Sequence, residues 1–252
     1  MPSQHLSFVL LKDACDLDAA RISASHRDLF SESALATDMD NDFLVLRGSG
    51  HFTTYVALTR GPVPNGEADG FAEYSYGSIL GAPRVEKHGA HVIVITRSSE
   101  DSMIDSLQTH LRHTASVTHA LDALGVYDGN AGATHIAPFY IGAAQEDTLP
   151  PHLVTGLSLA RESEKCASVL TKGLRRLGLC EFLITVPIEE MQSGVEYLLD
   201  LVGYVVNRRE QLGDGETVGR SPEERLLVRH QRSPANASDE VVTLDLRPLS
   251  DA

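Results

Sequence analysis

Apolar residues along this chain fall mostly into short β-type runs, interrupted by a few stretches with helical spacing. "SFVLL" (Ser7 to Leu11) predicts a buried strand, and the acidic Asp16 and Asp18 lead into "LDAARISASHRDLF", which has a helical pattern. "DFLVLRGSGHFTTYVALTR" contains two β-rich runs joined by Gly48-Ser49-Gly50, a hairpin signal. "GPVPNGEADG" reads as loop, a short helix is expected around Phe71 to Leu80, and "AHVIVITR" (Ala90 to Arg97) is a further strand. The order β-α-β-β-α-β predicts an α+β fold with a ferredoxin-like N-terminal half.

The clearest helix follows, with Ser98 and Asp101 as a near capping box and an end near Gly125. Ile104, Leu107, Leu111, Ala115, Thr118, Leu121 and Leu124 form its inward stripe, which turns His113 toward solvent. "HLVTGLSLA", "SVLTKGL" and "CEFLITV" predict strands. A helix is then expected from about Ile188 to Arg209, with Pro187 at its start and Met191, Val195, Leu198, Val202 and Val205 on its buried face. "RLLVRHQ" and "EVVTLDL" close the pattern as strands in a second antiparallel sheet-plus-helix half. The chain reads as one α+β domain over 1–252, or as two related halves, about 1–126 and 127–252.

Composition narrows the class. With 252 residues, 42% of them hydrophobic, there is ample material for a core, and no window has the apolar length of a bilayer crossing. Three cysteines without CxxC spacing suggest neither a disulfide framework nor a zinc knuckle, so a reducing cytoplasm is the expected setting. Thirty-five acidic against 21 basic residues give a formal net charge of -14, which disfavours nucleic acid and suits a basic protein partner.

Several motifs are incomplete. Asp38, Asp40 and Asp42 have the spacing of a calcium loop, but Phe43 and Ser49 stand where glycine and glutamate are required. The Gly48-Ser49-Gly50 turn lacks the third glycine and the following helix of a dinucleotide site, and no phosphate-binding loop occurs, so no cofactor is implied. His110 and His113 lie one turn apart without an HExxH. His26 reads as a core or boundary histidine, and Cys166 and Cys180 as buried, unreactive thiols. No catalytic set is assigned. The one metal-dependent alternative, a hydrolase, would draw on His88, His91 and a carboxylate such as Glu181.

The segment "TKGLRRLGLCEFLITVP" combines glycines with concentrated positive charge. A hairpin bend permitted by Gly178 is expected, with Glu181 pairing to Arg175 or Arg176, and with Thr171, Lys172, Gly173, Arg175, Arg176 and Glu181 as a binding rim. "LTKGLRRLGLCEFLI", "LGDGETVGRSPEERLLV", "SFVLLKD" and "KHGAHVIVITR" resemble the bacterial domain-of-unknown-function 4261 family over nearly the whole chain. The matching positions are Thr171, Gly173, Leu174, Gly178, Glu181, His88, His91, Asp214, Gly215, Glu216, Thr217 and Gly219, with Leu179-Cys180 departing from the family's small or polar residue before the glutamate. The resemblance implies one full-length α+β domain without assigned catalytic residues and an immunity or accessory role near toxin and secretion loci. Together these features predict an acidic cytoplasmic protein-binding module, of undetermined oligomeric state, with a protein partner and neither nucleic acid nor membrane.

Overall fold

The computed structural model describes residues 4–32, 34–40, 43–48, 51–73, 75–76, 83–98, 103–221 and 224–246. It is an α+β fold that divides into two compact units, Met1–Leu153 and Val154–Ala252. The division lies well beyond residue 126 because the strands after that point still join the first sheet.

The first unit contains β1 (Gln4–Leu11), α1 (Ala19–Phe30), β2 (Ala36–Asp40), β3 (Phe43–Arg47), β4 (Phe52–Thr59), α2 (Glu67–Ala72), β5 (Ala90–Ser98), α3 (Met103–Ala120), β6 (Gly125–Asp128), β7 (Ala133–Ile136) and α4 (Ala137–Ala144). Its seven strands form one antiparallel sheet in the order β2-β3-β4-β5-β1-β6-β7. A ferredoxin-like layer would place the first strand between the third and fourth core strands. Here β5 lies between β4 and β1, so each strand from β2 to β5 pairs with its neighbour in sequence and the ferredoxin-like order is not present.

Local chemistry explains the helix limits. Asp18 caps α1 by accepting from the N–H groups of Ala20 at 2.9 Å and Arg21 at 3.0 Å, and Ser31 ends it in the left-handed region. A helix occupies Glu67–Ala72, after Gly66 in a left-handed conformation, and overlaps the start of the helix expected at 71–80; residues 74 and 77–80 of that expectation lie outside the described residues. The Ser98 and Asp101 cap falls outside the described residues in part, as do Ser49, Gly50 and Asp42.

Alternation divides β1 between two faces. His5, Ser7 and Val9 turn toward α3, whereas Phe8 and Leu10 turn toward a cluster with Val63, Ala68, Phe71, Val85 and Tyr127. Helix α3 packs on α1, α4 and strands β1 and β5. It is therefore buried nearly all round, and its predicted single stripe is too narrow: His110 is 0% exposed and His113 only 2%.

The second unit contains β8 (Gly156–Arg161), β9 (Cys166–Lys172), β10 (Glu181–Pro187), α6 (Met191–Arg208), β11 (Thr217–Val218), β12 (Leu226–Leu227), β13 (Arg229–Arg232) and β14 (Glu240–Asp245); α5 (Pro151–Val154) precedes it. The main sheet has the order β13-β14-β10-β9-β8. It is antiparallel except for β10 and β14, which are parallel because α6 provides the crossover between them. Phe182, Ile184 and Val186 of β10 are buried with Val195, Leu198, Val202 and Val205 of α6, matching the expected apolar face except for the half-buried Met191.

Candidate functional site

The segment from Thr171 to Glu181 does form a hairpin bend. Strands β9 and β10 are joined by a 3₁₀ turn at Leu174–Leu177, with Gly173 at φ 121° and Gly178 at φ 75°, conformations that favour glycine. Glu181, however, points inward and is 8% exposed. Its Oε2 accepts from the Thr171 hydroxyl at 2.7 Å, and its Oε1 accepts from the N–H groups of Gly173 at 2.8 Å and Arg175 at 3.3 Å. Thr171 Oγ1 in turn accepts from Phe182 N–H at 2.8 Å. The carboxylate thus caps the start of the 3₁₀ turn, where uncommitted N–H groups and the local dipole favour an anion.

The expected pairing of Glu181 with an arginine side chain is replaced by this backbone capping. Arg175 instead pairs with Asp239 at 2.6 Å and donates to the Glu240 carbonyl at 3.3 Å, and Arg176 donates to the Val154 carbonyl at 2.8 Å. Lys172 remains exposed. The six residues of the expected rim therefore include a buried Thr171–Gly173–Glu181 brace and two arginines tied to other strands. Cys166 and Cys180 are half-buried rather than buried; burial, followed by the charge of Glu240, pushes the Cys180 thiol up, which keeps it protonated.

His88 and His91 bind the loop before α2 to the sheet. His88 Nε2 accepts from Val63 N–H at 2.8 Å, leaving Nδ1 3.5 Å from Asp69, and His91 Nδ1 donates to the Gly61 carbonyl at 2.8 Å. Burial lowers the His88 pKa. The metal alternative also drew on Glu181, which belongs to the second unit and is committed to its cap. Among the described residues no three His, Cys, Asp or Glu side chains form a metal-holding group.

A buried polar chain runs beneath α3. Ser7 Oγ lies 2.8 Å from His110 Nε2, whose Nδ1 is 2.9 Å from Thr96 Oγ1; Thr96 is 2.8 Å from Thr54 Oγ1, which is 2.7 Å from His113 Nδ1. Each neutral imidazole offers one donor and one acceptor, so a single direction of donation satisfies all four contacts. Burial, reinforced by His26, lowers His113 to about 3 and keeps it neutral. His26 sits edge-on to His113 with ring centres 5.4 Å apart, 3.0 Å from Ser116 Oγ and 3.3 Å from Glu32, which also pairs with Arg112. Ser7 beside His110 has the contact of a nucleophile and its base. Both are 0% exposed, so the pair organises the interior rather than meeting a substrate.

The contrasting surface is strand β2. It is the edge of the seven-stranded sheet and is exposed at all five positions, Ala36 to Asp40. Asp38 and Asp40 flank Met39, which is 64% exposed, and Phe43 across the hairpin is 40% exposed. Asp38 Oδ1 accepts from Met39 N–H at 2.8 Å. Asp38 and Asp40 of the spacing that resembled a calcium loop therefore lie in a strand, on one face of it, and Asp42 falls outside the described residues. Among the described residues no helix is long and apolar enough to cross a membrane. The chain matches no protein-family model, no curated protein and no solved structure.

Proposed function

We propose that the chain is an acidic cytoplasmic protein-binding module that receives an extended basic segment of a partner along β2. The observation that carries this reading is the fully exposed edge strand with Asp38 and Asp40 around Met39. An edge strand has backbone groups that can extend the sheet, the Met39 N–H exchanging its bond to Asp38 Oδ1 for the incoming strand, and its side chains select what is added. Aspartates there repel a second copy of this acidic chain but attract lysine or arginine at alternate positions of an incoming strand. Met39 and Phe43 add apolar contact area beside the charges. The net charge of -14 steers a basic partner in the same direction.

The resemblance to the domain-of-unknown-function 4261 family favours an immunity-type inhibitor or an accessory factor of a toxin or secretion system as the finer form of this role. The test is to titrate the full chain into a labelled peptide of alternating lysine and valine. Saturable binding that weakens with salt, and falls by about 10-fold or more in D38K/D40K, is expected. Absence of binding, or binding unchanged by the double substitution, refutes the β2 site. Co-purification with a product of an adjacent gene, together with protection against its toxicity, tests the immunity role.

A further inference from the structure

The second unit contains a pocket of about 340 Å³ between α6 and the segment following Gln211, near the lower end of the usual range for small-molecule sites. Tyr197, Asp200, Leu201 and Tyr204 reach it from one face of α6, at the i, i+3, i+4 and i+7 spacing that aligns helical side chains. Thr217 and Arg220 line it from the opposite segment.

The "DGETVG" run builds that opposite wall. Asp214 accepts from His230 N–H at 2.9 Å, Gly215 turns at φ 83°, and Glu216 accepts from Gly213 N–H at 2.8 Å. A Cβ at Gly219 would lie 1.9 Å from the Glu224 carbonyl oxygen, so this close approach excludes any larger residue. Glu224 Oε2 then accepts from Arg220 N–H at 2.6 Å, and the Arg220 guanidinium lies over the Tyr197 ring, 4.5 Å from its centre. The motif thereby places a cation at the mouth of an aromatic pocket.

Among the described residues, neither the Arg220 guanidinium nor the Asp200 carboxylate has an ion-pair or hydrogen-bond partner, although both line the same cavity. Glu224 is occupied by the backbone of Arg220, and Arg208 by Glu210 and the Tyr204 hydroxyl. Tyr197, itself only 1% exposed, carries a buried hydroxyl without a partner among the described residues.

An arginine and an aspartate whose charged groups have no partner among the described residues, beside Leu201, Val218 and two tyrosine rings, match a small zwitterion with an apolar side chain. We propose that this pocket binds a free α-amino acid of the aromatic or large aliphatic class, with Arg220 receiving the carboxylate and Asp200 the ammonium group. Charge-assisted hydrogen bonds orient its head, and the tyrosine and aliphatic surface takes its side chain.

The test follows amide NMR shifts of the full chain on addition of L-phenylalanine. A dissociation constant on the order of 1 mM, with shifts in residues 197–204 and 217–220, is expected. Phenethylamine, which lacks the carboxylate, and 3-phenylpropionate, which lacks the ammonium, should each bind at least about 10-fold more weakly. R220A should weaken L-phenylalanine by about 10-fold without changing phenethylamine, and D200N should weaken it similarly without changing 3-phenylpropionate. D38K/D40K should leave these shifts unchanged, which separates the pocket from β2. Absence of saturable shifts, or equal binding of either truncated analogue, overturns the proposal. Equal binding of N-acetyl-L-phenylalanine amide also overturns it, by assigning the pocket to a protein side chain.

Discussion

At Glu181 a carboxylate stands where the backbone turns and leaves N–H groups without helical partners. Replacing it with glutamine keeps the shape but sets an amide donor against donors. E181Q is expected to destabilise the second unit by about 1–3 kcal/mol in urea unfolding, the usual cost of a buried group losing its partner. A change within error would show that the brace contributes little. At His113 the expectation is spectroscopic: its imidazole should remain neutral as the pH falls to about 3, whereas titration near the ordinary 6.5 would contradict its burial. The sequence signalled the importance of Thr171, Gly173 and Glu181 by placing glycines around a polar triplet. It did not reveal which way Glu181 faces, because the backbone donors that capture it appear only once Gly173 and Gly178 have turned the chain. His113 was misleading for a related reason. A helix covered on several sides has no solvent face, and spacing within the helix carries no information about how many neighbours will cover it.

Among the elements, α6 contains a glycine that helix propensity disfavours by about 1 kcal/mol relative to alanine. A Cβ at Gly194 would lie 2.5 Å from Val186 Cγ1 on β10, and valine has little rotamer freedom with which to yield. G194A is therefore expected to destabilise by about 1–3 kcal/mol despite its better propensity, measured by denaturant unfolding. Stabilisation would mean that helix and strand separate easily. The buried face of α6, the cap of α1 and most strands were legible from periodicity and turn chemistry. The order of strands in the first sheet was not. The same succession of elements suits several antiparallel layouts, and β5 enters between β4 and β1 through pairings of high sequence separation that local pattern does not encode. Strand β2 was hidden inside an acidic run, since aspartate has low β-propensity and only its position beside β3 makes it extended.

On the scale of the whole molecule, histidine chemistry distinguishes the two units. His26, His88, His113, His135 and His152 all have lowered pKa values, each chiefly through burial, and all lie before Val154. When folded they bind protons less readily than at the ordinary 6.5 of the unfolded chain. Their contribution to stability is therefore present above that value and is lost as the pH falls toward about 3 for His113 and about 4 for His135 and His152. Each contributes a slope of about 1.4 kcal/mol per pH unit within its own window. All five lie in the first unit, so urea titrations between about pH 6.5 and pH 4.5 should show the first unit losing more stability than the second. Equal loss in both units would contradict this assignment.

The same first unit carries the surface on which the proposed function depends. A basic segment added to β2 must protect the backbone amides it pairs with, because slow exchange reports hydrogen bonding to the new strand. The most direct measurement is amide hydrogen exchange of the full chain, with and without the alternating lysine–valine peptide. Slowed exchange at the β2 amides that point away from β3, absent in D38K/D40K, is the predicted result. Exchange at those amides unchanged by saturating peptide would contradict the account.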